Sequence, residues 1–127
     1  MSETMLPVVP AARFQKHVLV CAHARPEGSP RGSCGPCGGE QLRERLLALV
    51  KAHGLKGEVR INKTHCLDAC ELGPVVVVHP NNLWYVGVTL DDLDAIFVAS
   101  VVGDAVAPER VATAATWRHL QQLRSGA

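Results

Sequence analysis

The sequence predicts an α/β protein in which two to three helices pack on a mixed sheet of about four strands. Short apolar runs, alternating or rich in β-branched residues, indicate four strands. A leucine-rich segment with helical spacing separates the first two strands, and a helix with a capped start follows the last two. The order of elements is therefore β, α, β, β-hairpin, α, followed by a tail.

The first half of the chain holds one strand, one long loop and one helix. Residues 14–20 alternate and then become apolar, so we expect a strand that ends at Cys21. Residues 22–39 are rich in Gly, Pro, Ser and Arg and predict a loop. Residues 40–53 carry an apolar helical face, and Gly54 follows as a C-terminal cap. This face consists of Leu42, Leu46, Leu49 and Val50.

The second half predicts a short strand at 59–63, a cysteine-bearing loop at 64–73 and a hairpin. Residues 75–78 are four valines, typical of a strand buried on both faces. Residues 80–82 form a turn into a strand at 83–88. Thr89 and Asp92 form a capping-box pattern that starts the second helix. The apolar face of this helix is Leu93, Ile96, Phe97 and Val101.

This order of elements is that of the thioredoxin-like fold. We expect residues 1–12 to be a flexible N-terminal lead and residues 13–103 to form the domain. Residues 104–127 would then be a C-terminal tail in which residues 109–124 form a last, weaker helix. Trp117, Leu120 and Leu123 are spaced at three on that helix, and they could dock on the domain or on a partner.

Composition excludes several function classes and directs attention to the cysteines. The formal net charge of the 127 residues is +1, and no basic stripe predicts nucleic-acid binding. Neither a secretory-signal pattern nor an apolar run of about 18 residues is present, so we expect a cytoplasmic protein without a membrane span. Five cysteines in that compartment favour metal or redox chemistry over disulfides.

Four cysteines form two groups that the predicted fold brings together. Cys21 and Cys34 are separated by twelve residues in the first loop, and Cys66 and Cys70 by three in the second. Both loops leave the same end of the predicted sheet, so four thiolates can converge there. Thiolates are soft ligands that suit iron–sulfur clusters and zinc alike. The residues by themselves leave both cofactors open.

Longer motifs around these cysteines resemble those of one known family. The segment CAHARPEGSPRGSC at 21–34 resembles the first cluster loop of the thioredoxin-like [2Fe–2S] ferredoxins. The segment HCLDACELGPVVVVHP at 65–80 resembles their second loop and the following strand, and LWYVGV at 83–88 also matches. The resemblance covers roughly residues 14–102. It implies a [2Fe–2S] cluster held by Cys21, Cys34, Cys66 and Cys70, one-electron transfer and a homodimer.

Two alternatives follow from the same cysteines. Residues 34–37 read Cys-Gly-Pro-Cys, the tetrapeptide of dithiol oxidoreductases, and they precede a helix whose dipole would stabilise a thiolate. That interpretation leaves Cys21, Cys66 and Cys70 without a role. A structural zinc site is the second alternative, but such sites are usually built from two closely spaced pairs, which the twelve-residue spacing does not provide.

We therefore predict a [2Fe–2S] ferredoxin that is not an enzyme and carries single electrons between a reductase and an acceptor protein. We expect no nucleic-acid or membrane partner. Cys37 is interpreted as a thiol near the cluster and as the one competitor of Cys34 for its place as a ligand. His23 and His65 adjoin the ligands and are candidates for tuning the potential through hydrogen bonds or protonation.

Overall fold

The computed structural model describes residues 8–21, 38–65 and 67–125, and the side chain of Cys70 lies outside this description. The strands are β1 (Lys16–Cys21), β2 (Val59–Thr64), β3 (Val76–His79) and β4 (Leu83–Tyr85). The helices are α1 (Glu40–Ala52), α2 (Leu90–Ile96) and α3 (Ala114–Arg124). A 3₁₀ turn covers Cys70–Leu72, and α2 continues as a π-helical segment over Phe97–Val102.

The four strands form one mixed sheet with the order β2-β1-β3-β4. β1 and β2 run parallel, with Cys21 opposite Thr64 at their carboxyl ends. β3 is antiparallel to both β1 and β4. The parallel pair is connected through α1, as expected for a crossover that must cover one face of the sheet. The predicted mixed α/β sheet is confirmed.

One face of the sheet is covered by α1, α2 and the π-helical segment. Alternate strand residues point to this face and meet the predicted apolar faces of both helices, which are buried as expected. Tyr85 is fully buried there and forms a hydrogen bond with the equally buried Ser100. We call this group the helix-side core; it includes Val18, Val20, Leu42, Leu46, Val76, Val78, Tyr85, Leu93, Ile96 and Phe97.

The opposite face carries a smaller apolar group, which we call the α3-side core. It consists of the buried residues Cys21, Ala69, Val75, Val77 and Leu120. Leu120 lies on α3, so the C-terminal helix covers part of this face. Trp117, also on α3, makes an edge-to-face contact with Trp84 of β4, with the ring centroids 5.5 Å apart.

The last helix begins later than its sequence pattern predicts. The helix is expected to start at residue 109, but α3 starts at Ala114, after a capping box formed by Thr113 and Thr116. The preceding residues run beside β4: Val86 N donates to Arg110 O at 2.9 Å and Ala112 N donates to Trp84 O at 2.7 Å. These bonds occupy backbone groups on the open edge of β4, an option that helical periodicity cannot reveal. β4 ends at Tyr85 rather than at residue 88, and Gly87 beyond it has a φ of 60°, which is outside the extended region of a strand.

Candidate metal centre

The end of the sheet where β1 and β2 finish is the origin of both cysteine-bearing loops. Because the two strands are parallel and in register, Cys21 and Thr64 lie side by side there. The chain enters the first loop after Cys21 and the second loop after Thr64. β3 is antiparallel to β1, so the second loop returns to the sheet beside Val20, which pairs with Val76. The predicted common origin of the loops is confirmed.

Cys21 is fixed at this edge by both its backbone and its surroundings. Its amide donates a hydrogen bond to the carbonyl oxygen of Val75 at 3.1 Å, which extends the pairing of β1 with β3. Its side chain is fully buried and is not part of a disulfide. The α3-side core joins it to Ala69, which lies between Cys66 and Cys70 in the sequence. The first cysteine and the second loop therefore share one buried apolar group.

The second loop has a tightly wound backbone. Asp68 has φ 63°, in the left-handed region, and the 3₁₀ turn follows with Leu72 N donating to Ala69 O at 3.0 Å. Gly73 has φ 83°, so the chain reverses into β3 at a position that a side chain would strain. A Cβ at Gly73 would lie 3.3 Å from the Cα atom of Gly87. The loop thus approaches residue 87 backbone to backbone.

The remaining predicted site residues are described only in part. Cys70 lies at the start of the 3₁₀ turn, and His65 is exposed at the end of β2. Within residues 8–21, 38–65 and 67–125, no three His, Cys, Asp or Glu side chains are grouped closely enough to bind a metal ion. The predicted site residues outside the described part of the chain are His23, Cys34, Cys37 and Cys66. Of the four predicted ligands, the structure therefore describes Cys21 and the backbone of Cys70.

The donor chemistry of the described edge fits an iron–sulfur cluster. Cys21 offers a thiol in apolar surroundings at the end of a central strand, where its amide donates to Val75 and its Cα is in register with Thr64 of β2. The next cysteines along the chain belong to loops attached at the same edge. Thiolate ligands in low-polarity surroundings, contributed by loops anchored to a rigid scaffold, are typical of protein-bound clusters.

Sequence reasoning missed a group of charged side chains around the second loop. Arg124, at the end of α3, forms ion pairs with Glu71 and Asp68. These residues are more than fifty positions away from Arg124 in the sequence, and no local pattern connects them. Separately, at the end of β2, Lys63 Nζ lies 3.4 Å from Glu40 Oε1 at the start of α1.

Among the described residues no helix has the length and apolar character needed to cross a bilayer.

Comparison with known proteins identifies relatives in sequence and in structure. No protein-family model matches the chain. A protein named "Ferredoxin, 2Fe-2S" from Aquifex aeolicus (strain VF5) is 39% identical over 82 residues, covering 64% of this chain and 74% of the relative. A protein of the same name from Clostridium pasteurianum is 35% identical over 80 residues, covering 63% of this chain and 78% of the relative.

A solved structure gives the same result for the fold. The crystal structure of the wild-type thioredoxin-like [2Fe–2S] ferredoxin from Aquifex aeolicus superimposes with a TM-score of 0.74 at 35% sequence identity. The match covers 80% of this chain and 99% of that one. The sequence identity to the Aquifex aeolicus relative, 74% of which is covered, and the match to the solved structure show that the chain belongs to the thioredoxin-like [2Fe–2S] ferredoxins.

Proposed function

We propose that this protein is a one-electron carrier that holds one [2Fe–2S] cluster on Cys21, Cys34, Cys66 and Cys70. The observation that supports this most directly is the position of Cys21, buried beside the second cysteine loop at the edge where both loops begin. Membership of the ferredoxin family supports the identity of the cofactor. When bound, such a cluster supplies a centre that accepts and releases single electrons.

The protein's own residues keep the site in one geometry. Cys21 is held by its register with Thr64 of β2 and by the hydrogen bond from its amide to Val75, so its thiol has little freedom to move when the charge at the site changes. At the end of the second loop, Gly73 permits the turn of the chain back into β3. A rigid set of ligands keeps the reorganisation that accompanies electron transfer small, which suits a carrier rather than an enzyme that must admit a substrate.

We further propose that the protein is not an enzyme and that it works in the cytoplasm as a homodimer with a reductase and an acceptor protein. The five cysteines support the compartment, because an odd number of cysteines suits metal or redox chemistry in a reducing environment better than a framework of disulfides. The family resemblance supports the dimer. The exposed Lys63 at the end of β2 and the half-buried Glu40 at the start of α1 present both signs of charge beside the site, so the partner surface need not be strongly basic.

The direct test is the spectrum and metal content of the protein purified under anaerobic conditions. We expect a red-brown protein with visible charge-transfer absorption and about two iron atoms and two labile sulfides per chain. Reduction should consume about one electron per cluster. A colourless preparation that contains stoichiometric zinc, or one that cycles between a dithiol and a disulfide without iron, would contradict the proposal.

The set of ligands is tested by serine substitutions at each cysteine. Cys21→Ser, Cys66→Ser and Cys70→Ser should abolish the visible spectrum or shift it strongly, because a hydroxyl is a harder and less readily ionised ligand than a thiol. Cys37→Ser is the matched control and should leave the spectrum and the iron content largely unchanged. If Cys37→Ser bleaches the protein and Cys34→Ser does not, Cys37 is the ligand in place of Cys34.

A further inference from the structure

The C-terminal helix contacts the second cysteine loop directly. Leu120 of α3 is only 7% exposed and shares the α3-side core with Cys21 and Ala69. Trp117 fixes the same helix to β4 through its contact with Trp84. The last turn of α3 is thereby brought to the loop that carries Cys66 and Cys70. Besides covering part of the sheet, α3 contacts this loop through the side chain of Arg124.

Arg124 binds the loop at several atoms. Its Nε donates to Glu71 Oε2 at 2.8 Å and its Nη2 donates to Glu71 Oε1 at 3.1 Å, a bidentate pair. Nη2 also donates to the backbone oxygen of Asp68 and lies 3.1 Å from Asp68 Oδ1. Asp68 lies between the two cysteines, and Glu71 directly follows Cys70. A single guanidinium therefore connects two points of the loop.

The bidentate geometry of this ion pair distinguishes it from an ordinary surface contact. The side chains of Arg124 and Glu71 are 29% and 17% exposed, so water screens their attraction only in part. The pKa of Arg124 is raised above its usual value, mainly by the hydrogen bonds to Glu71. Asp68 adopts a left-handed backbone conformation that costs energy in a non-glycine residue, and Arg124 holds the carbonyl of that residue.

We propose that Arg124 is a positioning residue, which holds the Cys66–Cys70 loop in its ligating shape and offsets the carboxylates of Glu71 and Asp68 beside the metal centre. This inference rests on the proposed function, because the loop is taken to supply two ligands. Lysine cannot reproduce the two-point contact, since its ammonium lacks the planar fork of a guanidinium. The geometric and the electrostatic contributions of Arg124 can therefore be separated by substitution.

The test compares Arg124→Ala, Arg124→Lys and Arg118→Ala in the cluster-loaded protein. Arg118 lies on the same helix and is exposed, and its side chain makes no hydrogen bond or ion pair within the described residues, so it controls for lost charge and helix composition. The measurements are the midpoint potential, the visible circular dichroism, which reports the geometry of the ligands, and the rate of iron loss to a chelator.

Arg124→Ala should lower the midpoint potential, because two carboxylates near the site lose their counter-charge and an added electron is less well stabilised. It should also alter the visible circular dichroism and speed iron loss by about fivefold. Arg124→Lys should keep the potential near that of the wild type while changing the circular dichroism in the same direction. Arg118→Ala should behave as wild type in all three measurements.

Glu71→Gln provides a second, independent variant in case Arg124→Ala fails to fold. It should raise the midpoint potential and speed iron loss, and the double variant with Arg124→Lys should lose iron little faster than either single variant. If a loaded Arg124→Lys or Arg124→Ala protein matches Arg118→Ala in potential, dichroism and iron loss, the inference is wrong although the proposed function stands. A wild-type protein without iron would instead contradict the proposed function.

Discussion

Individual residues in this protein act mainly by keeping the cysteine loops close to the sheet. Cys21 anchors the start of the first loop because it is the last residue of β1. Gly73 lets the second loop turn back to the sheet because it has no side chain. The φ of 83° at Gly73 and its approach to Gly87 explain why a glycine stands at the end of the second loop. The sequence pattern marked Gly73 as a loop residue, but it could not indicate the partner glycine fourteen positions later.

Substitution of Gly73 tests this approach at the residue scale. Gly54→Ala serves as the control, because Gly54 also has a positive φ of 66° but has no heavy atom within 4 Å of the added Cβ. We expect Gly54→Ala to cost about 1 kcal/mol in the free energy of unfolding through backbone strain alone. Gly73→Ala should cost at least about 1 kcal/mol more, since residues 73 and 87 must also move apart.

Guanidinium unfolding of both variants measures the difference. Iron loss to a chelator should accelerate for Gly73→Ala and stay unchanged for Gly54→Ala, because only the first variant disturbs the second loop. Equal costs for the two substitutions would show that the contact with Gly87 carries no strain.

The helices illustrate which local signals are reliable. The leucine spacing of α1 predicted its buried face, and the capping-box pattern predicted the start of α2, where Thr89 N donates to Asp92 Oδ2 at 2.9 Å. Arg110 also contacts the Asp92 carboxylate, with Nε 3.0 Å from Oδ2. This contact comes from the segment beside β4, so the cap of α2 is completed by a residue outside the local motif.

The pH dependence of Asp92→Asn tests the charge of this cap. The hydrogen bonds from the backbone and side chain of Thr89 are the main causes that lower the pKa of Asp92 below its usual range. A lowered pKa in the folded state contributes stability that is present above the unfolded-state pKa of about 4 and is lost as the pH falls through the folded-state value. Asp92→Asn should therefore cost about 1 kcal/mol at pH 7.

The difference in the free energy of unfolding between Asp92→Asn and wild type should become smaller when the pH falls below about 4. Comparing both proteins at each pH, by thermal unfolding followed with far-ultraviolet circular dichroism, cancels effects common to them. Asp91→Asn is the control, because Asp91 lies in the same helical turn but outside the capping contacts. Its stability should differ less from that of wild type than the stability of Asp92→Asn does. If the stability difference between Asp92→Asn and wild type stays the same in strong acid, the charge of the Asp92 carboxylate is not its cause.

At the scale of the whole molecule, the sheet has two unequal cores and α3 determines the smaller one. The helix-side core is extensive and does not involve α3, whereas the α3-side core contains five fully buried or nearly buried residues. Leu120 is the contribution of α3 to this core and lies in the same group as Cys21. The C-terminal helix therefore links the stability of the fold to the immediate surroundings of a predicted ligand.

Leu120→Ala tests this link, with Leu123→Ala as the control on the same helix. Leu120 is 7% exposed and Leu123 is 45% exposed, so the two substitutions remove the same atoms from a buried and a half-exposed position. We expect a loss of about 2–3 kcal/mol for Leu120→Ala in guanidinium unfolding and less than about 1 kcal/mol for Leu123→Ala.

The rate of iron loss should follow the same order, because detaching α3 uncovers the apolar side of Cys21 and releases the contact of Arg124 with the loop. If Leu120→Ala destabilises the fold but leaves iron loss unchanged, α3 is structurally important without supporting the metal centre.

The sequence by itself determined the mixed α/β class, the order of strands and helices, and the cysteines whose motifs indicate the ferredoxin family. These signals are local: periodicity, capping patterns and short spacings depend on residues that are neighbours along the chain. The late start of α3 after the segment paired with β4, the approach of Gly73 to Gly87 and the contacts of Arg124 were decided only by the tertiary structure. Arg124 and Glu71 are 53 residues apart, and only the path of the folded chain brings a cation to the cysteine loop.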